Sequence, residues 1–518
     1  MKKTTMMILT AAAMLTAACS SDDDVQMLTA QSGDGWSEYV TVTAGTAGDS
    51  GSGSDGRNHV KVNTSNPQKS LWETGDKLTI WTGTTCSTAN MSENGFTLTS
   101  GADTGTGTFS GRLKSTSAPT GDTQLIAIID NGSDAIDASA GNSVSADLSE
   151  QQGATAASAL DYELYYATST NAARSFTFTH KMALIKWTIK VNGVSAGDVC
   201  DIVLRGTGLK NSVTLDPATG TLTVGSTDGT ITLKDVTLTS AASTELFVVL
   251  PPCTVSSGIK ATLTMTSGDK SGYVGIGHLG DGNAITVAAN RYYTAGVNEF
   301  DLKGVDLGLP SGTIWAICNV GATNPEDFGD YFAWGETEPY YSSQNPLTWK
   351  TGKTGYNWTS YTKFGTYNSS ASPDYGFTKY NKTNGPTTLE AADDAATANW
   401  GSAWKMPTPT QMQELLDEYP YDFAPSGSKC CCYITDYNST GVAGFAFYDA
   451  SNNILLFLPA AGDRSSTSPS IENGYYWSSS LYGSNARQAY LLNLFDDGSD
   501  VGTSYRYCGY SVRPVLAQ

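Results

Sequence analysis

The segment SFTFTHKMALIKWTIKV, residues 175–191, alternates apolar and polar side chains on both sides of a short Lys-Met break. A period of two residues is that of a β-strand with one buried face. Similar runs recur at residues 38–44, 77–83, 95–100, 124–130, 211–225, 245–253 and 260–268. Gly, Asn and Asp separate them at short intervals, which is typical of β-sandwiches rather than of strands linked by helices. We therefore predict a mainly β protein.

Composition excludes several classes of function. Charged residues make up 15% of the 518 residues, and the formal net charge is -20. Such a chain lacks the basic stripe that a nucleic acid partner requires, and it disfavours docking on anionic lipid. The three histidines, His59, His180 and His278, have no ligand spacing. We therefore predict neither a histidine-based metal site nor a Ser-His-Asp triad.

The N-terminus resembles the export signal of a bacterial lipoprotein. Two lysines precede the short apolar run MMILTAAAMLTAA, and small residues lead to Cys19. The resemblance implies a signal peptide over residues 1–18 and acylation of Cys19. An ordinary secretory signal cut nearby is the alternative. The acidic SSDDD at residues 20–24 resembles a tag for the outer face of an outer membrane, so we expect a lipid-anchored surface protein.

Three sequence blocks in a fixed order suggest a family for the first half of the chain. They are SLWETGDKLTIWTG (70–83), FTFTHKMALIKWTIKV (176–191) and ITVAANRYYTAGV (285–297). They resemble the recurring blocks of fimbrillin-type, or type V, pilins, over residues 36–298. The resemblance implies tandem β-sandwiches, here over residues 71–300, that polymerise by donor-strand exchange. In that family a protease cuts after Arg or Lys, the first strand leaves, and a strand of another subunit replaces it.

Arg57 is the candidate site of this proteolytic processing. It is the first basic residue after Cys19 and lies in a Gly/Ser-rich linker, residues 19–70, of the kind that proteases nick. The strand-like run at residues 38–44 lies just upstream, where the departing strand is expected. An unpaired sheet edge accepts a donor strand through main-chain hydrogen bonds. The alternative is that Arg57 is an ordinary loop arginine.

The last third of the chain has a different composition. Trp, Tyr, Asn, Gly and Pro replace the Thr/Val alternation, and seven of the eleven tryptophans lie here. Residues 388–401 predict one helix, and residues 408–419 predict another that begins with a capping box at Thr408. Residues 453–462 predict a buried strand. We therefore predict an α+β domain over residues 301–518.

Six blocks of this region carry a second resemblance. They are VDLGLPSGTIWAICNVGA (305–322), GDYFAWGE (329–336), WGSAWKMPTPTQMQELL (400–416), LFLPAAG (456–462), YYWSSS (475–480) and GYSVRPV (509–515). They resemble a bacterial surface module with the C-type lectin-like fold, related to the Fibrobacter succinogenes major paralogous domains. The resemblance implies a fixed core and a ligand-binding face made by loops.

Some members of that module family are targets of diversity-generating retroelements, which rewrite codons near the end of a gene. On this chain the resemblance implies ten fixed positions, here called the frame residues: Trp477, Ser478, Ser479, Ala489, Leu492, Gly509, Ser511, Val512, Arg513 and Pro514. The candidate ligand-binding residues between them are Tyr482, Ser484, Asn485, Arg487, Gln488, Tyr490, Asp496, Asp497, Asp500, Ser504, Tyr505, Tyr507 and Tyr510. Their composition resembles an antibody paratope. Ordinary polar loops are the alternative.

The formylglycine-generating enzymes share the lectin-like fold, so an enzyme is a further alternative. That chemistry needs a close pair of reactive cysteines. The CCC run at residues 430–432 and Cys508 lack the basic neighbours that make a thiolate, so we predict no enzyme. A disulfide between Cys318 and Cys430 or Cys432, and buried free thiols, both stay open.

The acidic residues of the last third predict no catalytic pair. Glu326 lies close in sequence to Asp327 and Asp330, and Glu336 to Glu338, but no His or Lys is placed nearby to complete a proton relay. The oxygens of Glu326, Asp327, Asp330 or Glu336 suit calcium but lack EF-hand spacing, so we expect no cofactor, and a structural calcium ion is a minor alternative. The Glu-Pro-Asn triplet of calcium-dependent lectins is absent from the sequence, so the fold alone implies no sugar ligand.

These features together predict a lipid-anchored adhesin of the outer-membrane surface or pilus. Its expected partners are other pilin subunits and a host glycoprotein, a glycan or a bacterial surface ligand. The sequence ends at Gln518, soon after SVRPV, which leaves no strand to donate and predicts a subunit at the pilus tip. The alternative is an outer-membrane surface lipoprotein that binds ligand without polymerising.

Overall fold

The computed structural model describes residues 36–46, 72, 76–92, 94–102, 104, 106–130, 134–239, 243–268, 270–280, 282–344, 347–465 and 469–516. The predicted signal peptide, Cys19, the acidic tag and Arg57 lie outside the described residues. The described part is mainly β, which confirms the predicted fold class. None of its helices combines the length and apolar character needed to cross a bilayer.

The first ten strands cover residues 36–180. They are β1 (Trp36–Thr46), β2 (Lys77–Thr82), β3 (Phe96–Ser100), β4 (Thr106–Ser115), β5 (Gln124–Asp130), β6 (Ile136–Asp137), β7 (Val144–Asp147), β8 (Glu150–Gln152), β9 (Tyr165–Thr170) and β10 (Ser175–His180). Seven of them close a barrel in the order β1-β10-β9-β5-β2-β3-β4. A 3₁₀ turn at Ser158–Tyr162 precedes β9.

The first strand, β1, closes this barrel. It pairs antiparallel with β4 over ten residue pairs and in parallel with β10 over four. Its alternating sequence turns Val40, Val42 and Ala44 into the barrel core, where each is at most 1% exposed. The Trp72 indole nitrogen donates to the Ala44 carbonyl oxygen at 3.3 Å. The strand predicted at residues 38–44 is therefore confirmed, and it is one of the seven strands of the barrel.

The next twelve strands form a β-sandwich and its connections. They are β11 (Ala183–Val191), β12 (Val199–Arg205), β13 (Ser212–Asp216), β14 (Thr221–Val224), β15 (Ile231–Thr237), β16 (Thr244–Leu250), β17 (Cys253–Val255), β18 (Ile259–Met265), β19 (Tyr273–Leu279), β20 (Ile285–Val287), β21 (Arg291–Phe300) and β22 (Leu302–Asp306). The sheet β16-β11-β21 packs through one hydrophobic core on β12, β15 and β18.

The strand β11 lies at the centre of this arrangement. Only two residues separate it from β10, so the chain passes directly from the barrel into the sandwich. Trp187 and Ile189 face the sandwich core, whereas Leu184 faces a second core that packs against the outside of the barrel. The alternation in residues 183–191 thus supplies apolar side chains to two layers at once.

Within the described residues, the remaining strands and both α-helices lie beyond residue 306. They are β23 (Ile314–Ala316), β24 (Tyr331–Phe332), β25 (Tyr341–Gln344), β26 (Leu347–Trp349), α1 (Ala395–Trp400), β27 (Trp404–Lys405), α2 (Pro409–Glu418), β28 (Cys430–Ile434), β29 (Gly444–Tyr448), β30 (Ile454–Pro459), β31 (Gly474–Leu481), β32 (Gln488–Phe495), β33 (Gly498–Tyr505), β34 (Tyr510–Ser511) and β35 (Val515–Leu516). Further 3₁₀ turns lie at Ala391–Asp393 and Tyr437–Ser439.

One sheet continues from the sandwich into this C-terminal part. Its strand order is β27-β35-β23-β22-β19-β18-β12-β15-β8, and β22 pairs antiparallel with β19. The sheet β24-β34-β31-β32-β33 lies within the C-terminal part and carries six of the ten frame residues on β31, β32 and β34, while the other four directly flank β34. The C-terminal part is therefore joined to the sandwich by a main-chain hydrogen-bond ladder as well as by the chain itself.

The prediction of one helix over residues 388–401 is wrong. The structure has a 3₁₀ turn at Ala391–Asp393 and a separate helix α1, with Asp394 between them in an extended conformation. The Asp394 carboxylate accepts a hydrogen bond from the Thr397 backbone nitrogen and so caps α1. Asp competes for local backbone donors in this way, which favours a helix start over a helix interior. The buried strand predicted at residues 453–462 is confirmed as β30.

The second predicted helix is confirmed as α2, with the capping box at its start. Thr408 Oγ1 accepts from the Gln411 backbone nitrogen, and Gln411 Oε1 accepts from the Thr408 backbone nitrogen. We expect Thr408→Ala to lower the free energy of unfolding by about 1 kcal/mol, because the Gln411 backbone N–H loses its side-chain acceptor. Urea unfolding followed by tryptophan fluorescence measures this change. The matched control is Thr410→Ala, at an exposed position of α2. An equal loss in both variants would contradict the capping interpretation.

Candidate ligand-binding surface

Most of the predicted ligand-binding residues lie on or beside the hairpin of β32 and β33, at the edge of the five-stranded sheet. The pairing runs from Gln488 opposite Tyr505 at one end to Phe495 opposite Gly498 at the other. At a rise of about 3.3 Å per residue, the two ends are roughly 23 Å apart. The structure therefore divides the predicted residues between two places.

Three predicted carboxylates lie at or near the turn end of the hairpin. Asp496 and Asp497 form the turn and are exposed. Asp500 is exposed as well and accepts a hydrogen bond from Asn493 Nδ2 at 2.6 Å. The structure does not bring these carboxylates to the aromatic residues at the opposite end of the strands.

Five partly exposed rings and one guanidinium meet at that opposite end. We call this group the aromatic surface; its members are Trp358, Tyr367, Tyr375, Arg487, Tyr505 and Tyr507. Trp358 stacks on Tyr367 with ring centres 4.4 Å apart and meets Tyr507 edge-on at 4.6 Å. Tyr505 and Tyr507 lie parallel with centres 5.7 Å apart. The Arg487 guanidinium lies 4.5 Å from the centre of the Tyr375 ring.

Polar side chains adjoin the aromatic surface and orient it. Asn485 Oδ1 accepts from Arg487 Nε at 3.2 Å, and Asn485 Nδ2 donates to Gln488 Oε1 at 3.0 Å. Ser484 is exposed in the turn that leads into β32. Rigid rings beside adaptable amides and hydroxyls make a surface suited to recognition at low entropic cost.

Arg506 anchors this surface from below. It lies between Tyr505 and Tyr507 in sequence, yet it is fully buried. Its Nε donates to Tyr361 Oη at 2.9 Å, and its Nη1 donates to the carbonyl oxygens of Tyr380 and Ala486. Four rings surround the guanidinium at 4.4 to 5.4 Å, those of Trp334, Tyr361, Phe364 and Phe377. The chain on both sides of Arg506 is thereby fixed, and its two neighbours point outward.

The other predicted residues lie beside or beneath the aromatic surface. Tyr482 and Tyr490 pack ring against ring with centres 5.4 Å apart. Ser504 Oγ and Tyr510 Oη are 2.9 Å apart and bond to each other. Tyr510 is only 9% exposed, packs on Trp477, and has its pKa raised by burial. Ser504 and Tyr510 therefore support the surface from within the fold.

All ten frame residues are buried. Trp477 Nε1 donates to the Phe332 carbonyl oxygen at 2.8 Å, and Arg513 Nε donates to Asn319 Oδ1 at 2.8 Å. A Cβ at Gly509 would lie 2.7 Å from the Tyr356 ring, so the chain has room only for glycine there. These contacts tie the hairpin region to loops far away in sequence and give the aromatic surface a rigid base.

Sequence reasoning missed four residues of this arrangement: Trp358, Tyr367, Tyr375 and Arg506. The first three come from the long loop between β26 and α1, more than a hundred residues before the hairpin. The density of Tyr and Trp in that loop was the available signal. For Arg506 the sequence offers no signal, since only the rings around it reveal a buried cation.

The thiols do not form a nucleophilic site. The eight described cysteines are free, and Cys430 Sγ lies 3.7 Å from Cys432 Sγ. Burial raises the pKa of Cys432 to about 12, and it also raises the pKa of Cys318 and Cys508. Such thiols are protonated at neutral pH and react slowly.

The candidate calcium ligands do not converge. Glu336 Oε1 accepts from Tyr340 Oη at 3.0 Å, and Asp327 Oδ2 accepts from the Asn324 backbone nitrogen at 2.9 Å. Across the part of the chain that the structure describes, no three His, Cys, Asp or Glu side chains are grouped to hold a metal ion.

The buried Arg506 generates a stability prediction. We expect Arg506→Lys to lower the free energy of unfolding by about 3 kcal/mol, because Lys cannot reproduce the planar set of donors and hydrogen bonds to a charged group contribute ~1.5–3 kcal/mol each. Chemical unfolding of the full chain measures it. Arg487→Lys, at a partly exposed position, is the control and should change stability by less than ~1 kcal/mol. Similar losses in both variants would contradict the anchoring role.

Part of this chain is similar to known proteins. A protein from Bacteroides uniformis, named a "putative cell adhesion protein", is 19% identical and covers 50% of this chain and 90% of its own, with a TM-score of 0.29. A fimbrial protein from Bacteroides vulgatus is 12% identical and covers 44% of this chain and 89% of its own, with a TM-score of 0.23. No curated protein sequence matches this chain. Residues 61–297 match the model of the fimbrillin-like family, so this part of the chain is similar to a fimbrillin-like domain.

Proposed function

We propose that this protein is a non-enzymatic surface adhesin that joins a pilus through its fimbrillin-like part and binds its ligand through the aromatic surface. The fimbrillin-like domain supports a fimbrial role. The position of β1 in the barrel wall is the observation that carries the assembly step. The aromatic surface, which lies on the buried frame residues, supports recognition of a ligand by the C-terminal part. We propose that this part is a lectin-like module whose ligand-binding residues are diversified by a retroelement.

The assembly step follows from how β1 is held. Its pairing with β4 and β10 uses main-chain hydrogen bonds, and its apolar side chains fill the barrel core. Cleavage at Arg57 would cut the covalent link between β1 and the rest of the barrel. Departure of β1 would expose the edges of β4 and β10 together with a groove above Trp72. A strand from another subunit with the same alternation would restore both sets of interactions.

Two further features belong to this proposal. Acylation at Cys19 would hold the precursor at the outer membrane before processing. The last described strand, β35, is paired on both sides, by β23 and β27. A subunit whose last described strand stays paired within its own fold fits the tip of a pilus.

Arg57→Ala tests the assembly step. We expect this variant to keep residues 36–46 on the mature protein and to be absent from purified pili, because the groove stays filled. Mass spectrometry of the surface protein and immunoblots of sheared pili give the two readouts. Lys61→Ala, at the next basic residue, is the control and should be processed and assembled normally.

Immunogold labelling of the same pili locates the subunit. One label at the end of each fibre is the expected result, and labelling along the shaft would contradict the tip position. Assembly of Arg57→Ala at the normal level would contradict the processing step. A wild-type surface protein that keeps residues 36–46 would favour the non-polymerising lipoprotein.

Substitutions at the two ends of the hairpin test the ligand-binding surface. The test variant is Arg487→Ser with Tyr505→Ser, and the control is Asp496→Ser with Asp497→Ser. We expect the test variant to lose at least tenfold in affinity, since aromatic and Arg anchors dominate most interfaces, and the control to change by less than twofold.

Full-length protein is applied to panels of glycans, host matrix proteins and bacterial surfaces, with thermal unfolding as the check on folding. Equal effects at both ends of the hairpin would contradict the assignment, as would a larger loss in the control. Absence of binding to every panel member by the wild type would favour a purely structural pilus component.

A further inference from the structure

A second surface lies where the sandwich meets the C-terminal part. It is an open cavity of about 700 Å³, lined among others by Asn192, Lys270, Tyr273, Lys303, Thr323 and Trp400. The hydrogen-bonded pairing of β19 with β22 runs along its wall, with Tyr273 opposite Val305. The two halves of the cavity are therefore held together by a continuous sheet. Its volume lies within the range of small-molecule sites.

Two lysines of this cavity are held by aromatic rings. Lys270 Nζ lies 4.8 Å from the centre of the Tyr273 ring, and Lys303 Nζ lies 5.6 Å from the centre of the Trp400 ring. A ring positions an ammonium group through its quadrupole without neutralising the charge or consuming all of its hydrogen-bond donors. Both ammonium groups thus keep their capacity to bind an anion.

The carboxylates nearby leave this positive charge largely uncompensated. Within the described residues Lys270 forms no ion pair, and Lys303 approaches only Asp301, at 3.9 Å. Asp301 is itself engaged, since its Oδ1 accepts from Asn192 Nδ2 at 2.8 Å. Two further carboxylates adjoin the lining and are engaged as well. Glu299 pairs with Lys190 at 2.9 Å and accepts from Asn192 Nδ2, and Asp327 Oδ2 accepts from the backbone nitrogens of Thr323 and Asn324. Because other donors hold these carboxylates, the ammonium groups of Lys270 and Lys303 stay available to an anionic ligand.

We propose that this cavity binds an acidic sugar, meaning a sugar residue that carries a carboxylate or a sulfate group. The anionic group would lie between Lys270 and Lys303. The half-buried Tyr273 and Trp400 rings offer apolar surface to the sugar ring. The Thr323 hydroxyl and the Asn192 side-chain oxygen offer partners to its hydroxyl groups. This site lies on different residues from the aromatic surface and does not depend on the function proposed above.

The test is calorimetric titration of the full chain with four probes: glucuronate, glucose 6-sulfate, glucose and inorganic sulfate. We expect the two acidic sugars, or one of them, to bind at least tenfold more tightly than glucose or inorganic sulfate. The affinity should fall as salt is added, because an ammonium–anion contact is screened. Preference for one acidic sugar over the other identifies the anionic group.

The double variant Lys270→Met and Lys303→Met should lose at least tenfold in affinity for the acidic sugar. The control Lys114→Met, in the barrel strand β4, should keep the wild-type affinity. Met preserves the apolar stem of Lys; if this double variant fails to fold, a second one with Gln at both positions repeats the test. Four results would overturn the proposal. They are equal binding of glucose and glucuronate, binding of inorganic sulfate as tight as that of the acidic sugars, no binding of any probe, and full retention of affinity by the double variants.

Discussion

The burial of both faces of β11 is the constraint on which the arrangement of the chain depends. This strand has hydrogen-bonded partners on both edges, β16 and β21, and apolar side chains on both faces. One face belongs to the sandwich core and the other to the layer against the barrel. Because only two residues connect β11 to β10, the barrel cannot move far from the sandwich without exposing one of these cores.

Main-chain hydrogen bonds between strands also connect the sandwich to the C-terminal part. The strand β22 extends the sandwich sheet, and β23, β35 and β27 extend it further. The aromatic surface then rests on side chains that bond to distant backbone, such as Trp477 to Phe332 and Arg506 to Tyr380. The stability of this region therefore comes largely from buried groups rather than from the outward rings.

The two candidate binding sites differ in what they offer a ligand. The aromatic surface exposes stacked rings with one guanidinium, and suits a large partner that covers it. The cavity between the sandwich and the C-terminal part is lined by two lysines whose ammonium groups lie near aromatic rings, and it suits a small anionic group. Both use aromatic side chains to position a cation, with the difference that Arg487 lies at an open surface and Lys270 and Lys303 line a recess.

The sequence by itself determined most strands of the first half, the buried strand β30 and the helix that begins after Thr408. These depend on local signals: side-chain alternation, a short apolar run and a capping box. The sequence did not determine the break in the helix at Asp394, where the Asp394 carboxylate accepts a hydrogen bond from the Thr397 backbone nitrogen. Only the tertiary structure decided that Asp496 lies about 23 Å from Tyr505, while Trp358 lies in contact with it. Strand pairing sets the distances along a hairpin, and long-range packing brings loops together. The spacing of residues along the chain predicts neither of these.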